Sequence, residues 1–140
     1  HFDFLEEIED IFVAAKDYLR NLKARGIQKD HILQSSTLML LDKNNMTRQY
    51  IDDYLQENQI IIKDSIDISD MDLLIDFARI GVGVACVIKN FVREDLENGT
   101  LVEIPLGFPI HKREVGFAYK TTTKPSKSLA EFIHFYKTYR

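Results

Sequence analysis

The sequence predicts an α/β fold, a mostly parallel sheet flanked by helices, and three observations carry that expectation. Short apolar or alternating runs and stretches of helical periodicity follow one another through most of the 140 residues, the pattern of strands separated by helices. Within 71–87, MDLLIDFARIGVGVACV, the residues Met71, Leu74, Ile75 and Ala78 fall at i, i+3, i+4 and i+7, one face of a helix. The run 82–88 that follows is apolar and β-branched, as in a strand buried on both faces. With a strand expected over 60–66, the three make a β-α-β unit, which crosses over right-handed between parallel strands.

The elements are taken in chain order. A strand is expected over 8–14, where Ile8 and then Ile11, Phe12 and Val13 are apolar. Residues 16–25 form a short helix with Tyr18, Leu19 and Leu22 inward, closed by Gly26. A single helical turn covers 29–34, and 36–41 is a strand, apolar from Leu38 to Leu41. The polar loop 42–45 leads into a helix over about 46–58, with Tyr50, Ile51, Tyr54 and Leu55 on its inner side. Over 60–68, Ile60, Ile62, Ile66 and Ile68 alternate with Ile61, Lys63, Ser65 and Asp67, which reads as a sheet-edge strand.

The central helix carries a second stripe, Leu73, Phe77 and Ile80, so cover is expected on most of its circumference. Ser69 with Asp72 three residues on reads as its capping box, and Gly81 as its left-handed stop. A helix over 89–98 ends at Gly99, and 101–104 is a short strand. The run 105–112, PLGFPIHK, has two prolines and a glycine and is expected to be an extended linker outside the core. A strand over 114–121 alternates Val115, Phe117 and Tyr119 with polar or small neighbours. After a loop over 122–127, Ser128 with Glu131 caps a last helix that buries Leu129, Phe132, Ile133 and Tyr136.

At this length one compact domain fits and two ordinary ones do not. Charged residues at 29% and hydrophobic ones at 45% describe an ordinary soluble protein, and the formal charge of -4 gives no electrostatic footprint for nucleic acid. The single cysteine, Cys86, excludes an internal disulfide, which fits a reducing cytoplasm. It lies in an apolar strand without an adjoining His or Lys, so it reads as a small buried hydrophobe and not as a reactive thiol. No apolar run is long enough to span a membrane. The chain begins with His1 and not Met, so it is expected to be a piece of a longer protein.

The four histidines are scattered, none sharing a helix face with a second ligand, so no metal and no cofactor are expected. The motifs GxSxG, GxxxxGK[ST] and CxxC do not occur. Gly81-Val82-Gly83 lies between a helix and the strand after it, whereas a phosphate loop follows a strand and opens a helix. Asp70, Asp72 and Asp76 read as the solvated stripe of the central helix. Nothing demands catalysis. Two places do read as ligand contacts: the loop and first turn with Asn44, Asn45, Met46 and Thr47, and the start of the central helix with Ser69, Asp70 and Met71. Both lie at the carboxyl edge of the sheet, where open α/β sheets bind ligands and helix N-termini attract anions. Ordinary N-capping accounts for the same residues without a ligand.

The run LIDFARIGVGVACVIKNFVREDLENGTLVEIPL, residues 74–106, resembles the effector domain of LysR-type transcriptional regulators, in which a helix ends in a Gly-x-Gly turn before a buried strand. IEDIFVAA, LMLLDKNNMTRQYIDDYL and REVGFAYKTTTKPSKSLAEFIHFY are similar to other parts of that domain, so the resemblance covers essentially the whole chain. It implies a type II periplasmic-binding-protein-like fold, with residues of about 14–112 as the second regulatory subdomain. Residues 1–13 and 113–140 would be hinge strands, returning strand and C-terminal helix. The family's winged helix-turn-helix and the front of its first subdomain have no counterpart in these residues. Leftover apolar surface is therefore expected on 2–5, 115–119 and 129–136.

The resemblance further implies a small, often carboxylate, effector between two subdomains, held by Asn44, Asn45, Met46 and Thr47 and closed by Ser69 and Met71. It implies a homodimer or tetramer built through the side of strand 60–66 and the helix ending near Asn58, DNA contact only through the winged helix-turn-helix, no membrane, and no enzyme activity. The alternative is one lobe of a free-standing solute-binding protein of the same fold. An enzyme would need a nucleophile–base pair in the cleft, and the sequence offers none.

Overall fold

The computed structural model of the chain describes residues 2–118. Strands β1 (Phe2–Ile8) and β7 (Arg113–Ala118) pair antiparallel as a two-stranded ribbon, with Ile8 opposite Arg113. From its base the chain enters a five-stranded sheet: β2 (Asp10–Ala15), β3 (Thr37–Leu41), β4 (Asp64–Ile68), β5 (Val84–Ile88) and β6 (Leu101–Glu103), in the order β4-β3-β5-β2-β6. β3 pairs parallel with both β4 and β5, while β2 runs antiparallel between β5 and β6. The mostly parallel sheet is thus interrupted by one reversed strand. The β-α-β unit over 60–88 keeps its parallel sense, but β3 separates its two strands.

Helices α1 (Lys16–Ala24) and α2 (Ile32–Ser35, after a 3-10 turn at Lys29–His31) come before β3, α3 (Met46–Glu57) joins β3 to β4, and α4 (Met71–Arg79) joins β4 to β5. A second 3-10 turn (Lys89–Val92) runs into α5 (Arg93–Asn98). One face of the sheet, with Phe12, Ala14, Leu38, Leu40, Val84 and Cys86, packs against Leu22 of α1 and Ile51, Tyr54 and Leu55 of α3. The other face, with Ile11, Val13, Met39, Ala85 and Val87, takes Leu74, Ile75 and Ala78 of α4. The split has a topological cause. The chain steps outward from β3 to β4 and then back past β3 to β5, and crossovers of one hand in opposite directions must use opposite faces.

Glycines stop three helices, α1, α4 and α5, as the sequence predicts, and α4 shows how. Gly81 sits at φ 84°, with Val82 N–H donating to Phe77 C=O and Gly81 N–H to Ala78 C=O, the pair of hydrogen bonds that closes a helix end. Gly83 serves another purpose, since a Cβ there would run into the backbone carbonyl of Thr37 where β5 meets β3.

Four expectations need correction. Residues 60–63 are not strand: Ile60 and Ile62 turn onto the α3 side while Ile68 faces α4, so the long alternation splits between two layers. The N-cap of α4 is Asp70, whose carboxylate accepts from Leu73 N–H, and not Ser69. The second stripe of α4 is covered only in part among the described residues: Phe77 packs against the core, but Leu73 is 39% and Ile80 74% exposed. The run 105–112 is irregular but not outside the core, because Ile110 is buried, Leu106 packs on the α3 side, and Tyr50 and Tyr54 donate their hydroxyls to the carbonyls of His111 and Phe108. The end of the strand over 114–121, the loop over 122–127 and the helix capped by Ser128 lie outside the described residues. The apolar surface expected on 2–5, 115–119 and 129–136 falls on side chains outside them as well.

Candidate ligand site at the carboxyl edge

Along the carboxyl edge of the sheet, β3 sends the chain to α3 on one face, and its neighbour β4 sends it to α4 on the other. Such a divergence opens a crevice beyond the strand ends, the place where sheets of this kind hold ligands. The structure brings both sequence-predicted clusters there. Asp42 N–H donates to Ile68 C=O at 3.0 Å, so the loop after β3 is fastened to the end of β4.

The individual residues have distinct duties. Asn45 caps α3, its Oδ1 accepting from Thr47 N–H at 2.8 Å, and Asn44 N–H donates to the Asp42 carboxylate at 3.2 Å. Met46 is 90% exposed, and Thr47 is half-buried with its hydroxyl 3.4 Å from Arg113 Nη2. On α4, Asp70 is the cap, Met71 packs partly into the core, and the exposed Ser69 makes no side-chain hydrogen bond among the described residues. The two helix ends therefore differ electrostatically. A carboxylate already offsets the positive end of α4, whereas a neutral amide caps α3 and leaves its dipole for an incoming anion.

Two arginine clusters, one on the buried Arg48 and one on the buried Asp10, brace this edge, and sequence reasoning passed over both. Arg48 donates from Nε to Asp52 at 2.9 Å and from Nη1 to Asp67 at 2.6 Å and to Leu41 C=O at 3.1 Å, tying α3 to the ends of β3 and β4. Arg113 grips Asp10 with two donors, Nε at 2.7 Å and Nη2 at 2.8 Å, and its guanidinium lies 5.2 Å from the centre of the Tyr50 ring. Burial opposes the charge on Arg113, but its hydrogen bonds and attraction to Asp10 prevail and its pKa is raised, so it stays a cation. A signal existed for each pair. Arg48 falls on the inner stripe of α3 with Ile51 and Leu55, and Asp10 shares the register of Phe12 and Ala14, so each is a charge at an inward position.

Further along the edge, beyond β5, lies a cavity of about 310 Å³ lined by Glu7, Glu9, Lys89, Asn90, Arg93 and Lys112. Lys89 is within 3.7 Å of Glu9 and 3.5 Å of Glu103, and Lys112 within 3.6 Å of Glu7. Among the described residues no group of three His, Cys, Asp or Glu side chains could hold a metal ion, and no helix is long and apolar enough to cross a membrane.

Cys86 is buried in β5, and burial, joined by the Asp10 charge and opposed by Arg113, pushes its thiol well above the ordinary value. The folded protein is expected to be inert to a disulfide reagent at pH 8 under conditions that label the urea-unfolded chain completely. The unfolded thiol ionises at lower pH than the folded one, so its burial contributes stability in full below about 9 and loses it as pH rises further. Rapid labelling of the folded protein would contradict this.

An α/β sheet of this order, with crossovers that diverge at its carboxyl edge, is of the type II periplasmic-binding-protein-like kind. More specifically, residues 5–140 match the LysR substrate binding domain, and the chain belongs to that family. Among solved structures it is similar to a variant regulatory domain of HypT from Salmonella typhimurium, with a TM-score of 0.63 and 18% identity over 95% of this chain and 64% of that one. It is similar also to full-length HypT, a hypochlorite-specific LysR-type transcriptional regulator, with a TM-score of 0.61 and 18% identity over 95% of this chain and 44% of that one. A third likeness is the effector binding domain of QuiR in complex with shikimate, with a TM-score of 0.62 and 15% identity over 96% of this chain and 65% of that one. The chain thus spans less than two thirds of the length of each of these three. Comparison with curated proteins finds no match.

Proposed function

We propose that the chain is the effector-sensing part of a LysR-type transcriptional regulator, and that Asn44, Asn45, Met46, Thr47, Ser69, Asp70 and Met71 surround a small acidic effector. The observation that carries this reading is the first turn of α3. It opens at the switch point of the sheet, is capped by a neutral amide, and has the Thr47 hydroxyl and the Arg113 guanidinium beside it. That is an environment for a carboxylate or another small anion. QuiR, of the same fold, is solved with shikimate, itself a carboxylate. Residues of about 14–112 then form the second regulatory subdomain, and 1–13 and 113–140 the hinge and the segments that pack on the first. The effector acts by binding one arrangement of the two subdomains better than the other, and that difference sets the size of the switch. DNA is read by a winged helix-turn-helix elsewhere in the regulator, in the cytoplasm.

Thr47→Ala in the intact regulator is expected to weaken effector binding about ten- to hundredfold, the equivalent of roughly 1.5–3 kcal/mol for a hydrogen bond to a charged group. Asn44→Ala and Ser69→Ala act in the same direction, and Ser69→Ala leaves helix stability alone because Asp70 is the cap. Lys23→Ala, exposed on α1, is the control. Calorimetric titration with the small carboxylate that raises the melting temperature most in a screen decides it. Should all three variants bind as tightly as wild type, residues 42–47 are only a helix cap.

The same reading makes the regulator a homodimer or tetramer through the β4 side. β4 is a sheet edge, and Ile66 on it is 39% exposed; Leu73, Ile80 and Val82, on α4 and the turn after it, are exposed too. Light scattering of the intact regulator at micromolar concentration is expected to show an oligomer; monomer alone would refute the assembly.

A further inference from the structure

Arg113 belongs to three parts of the structure at once. Its backbone opens β7 and pairs with Ile8 of the β1–β7 ribbon, its Nε and Nη2 hold Asp10 at the start of β2, and Nη2 also reaches Thr47 on α3. The contacts are unequal. Those to Asp10 are short, at 2.7 and 2.8 Å, and the Asp10 side chain is 1% exposed. The one to Thr47, at 3.4 Å, is at the far limit of a hydrogen bond. A guanidinium has five N–H donors in a rigid plane, and the two on Nη1 have no partner among the described residues. Asp10 therefore fixes the fork, the Tyr50 ring lies beside it, and a slack donor and two idle ones remain on the rest of the fork.

We propose that Arg113 is a ligand-contacting residue that links the effector site to the hinge. An anion seated on the first turn of α3 takes hydrogen bonds from the Thr47 hydroxyl and from the uncommitted donors of Arg113, so one ligand group clamps α3 to the β1–β7 ribbon. The clamp makes ligand occupancy a constraint on the ribbon, through a single side chain already anchored by Asp10. It also favours ligands whose acid group has a second oxygen to offer, since a planar fork rewards two-point acceptors. The proposal rests on the effector site assigned above.

Hydrogen exchange measured by mass spectrometry on the intact regulator tests it, with sodium sulfate as the probe and sodium chloride of equal ionic strength as reference. In the wild-type protein, sulfate at tenfold its Kd is expected to slow exchange about tenfold over 42–50 and over the ribbon segments 2–8 and 113–118. Arg113→Lys keeps a cation beside Asp10 but loses the fork, so protection over 42–50 should remain while that of the ribbon disappears. If that variant does not fold, Asp10→Asn with Arg113→Gln replaces the charged pair by a neutral one and is expected to give the same split. Ribbon protection that survives in the folded variant overturns the proposal, as does wild-type protection confined to 42–50, which leaves the effector site standing. Protection at neither place in the wild type removes the site and the link together.

Discussion

Asp10→Ala is expected to lower the stability of the fold by about 3–5 kcal/mol, the cost of leaving one member of a buried ion pair uncompensated. The Asp10 side chain is 1% exposed and that of Arg113 17%, so water replaces little of what the carboxylate supplies. The pair joins residues at the two ends of the folded sheet region, and its loss also frees the base of the β1–β7 ribbon. Lys112→Ala is the contrast. Its pair with Glu7 is long, at 3.6 Å, with both side chains more than half exposed, and such pairs contribute about 0–1 kcal/mol. Urea unfolding of the two variants side by side checks the prediction; equal midpoints would show that the Asp10 pair is no more than a surface contact.

Leu74→Ala is expected to cost about 2–5 kcal/mol. Leu74 is 0% exposed in the layer that α4 makes with Met39, Ala85 and Val87, and the neighbours on a rigid sheet cannot close the resulting cavity. Leu73→Ala on the same helix should cost far less, because Leu73 is 39% exposed on the partly covered stripe. A urea midpoint unmoved by Leu74→Ala would mean that α4 does not form the core of this face. A large loss from Leu73→Ala in the intact regulator would instead show that a partner surface covers the stripe.

Local signals served well where the physics is local. The bounds of α1, α3 and α4 follow from which positions are apolar at a spacing near 3.6 and from the glycines at 26 and 81, and each lies within about two residues of the expectation. The candidate site was legible for a related reason. It sits at loop-to-helix junctions after apolar strands, and every strand–loop–helix of a parallel sheet places that junction at the carboxyl edge.

The misreadings share one physical origin. Ser69 and Asp70 are both competent caps, and only the path by which β4 enters α4 decides which oxygen meets the Leu73 N–H. The alternation over 60–68 looks continuous, yet β3 offers partners only from Thr37 to Leu41, so the residues before Asp64 leave the sheet. The run 105–112 is barred from regular structure by its prolines, but Tyr50 and Tyr54 on α3 hold it against the core.

By itself the sequence determined the α/β class, the alternation of elements, the buried faces of the main helices and the family to which the chain belongs. The first three depend on the spacing of residues close together along the chain, and the family on a resemblance that runs over nearly all of it. Only the tertiary structure decided the strand order β4-β3-β5-β2-β6, the reversed β2 among parallel neighbours, and the meeting of Asp10 with Arg113 across 103 residues. Such choices are made by the summed packing of two layers and by the need to match a charge once it is buried. No short window of sequence contains either quantity, and so the contact of Arg113 with both Asp10 and Thr47 came into view only in the folded chain.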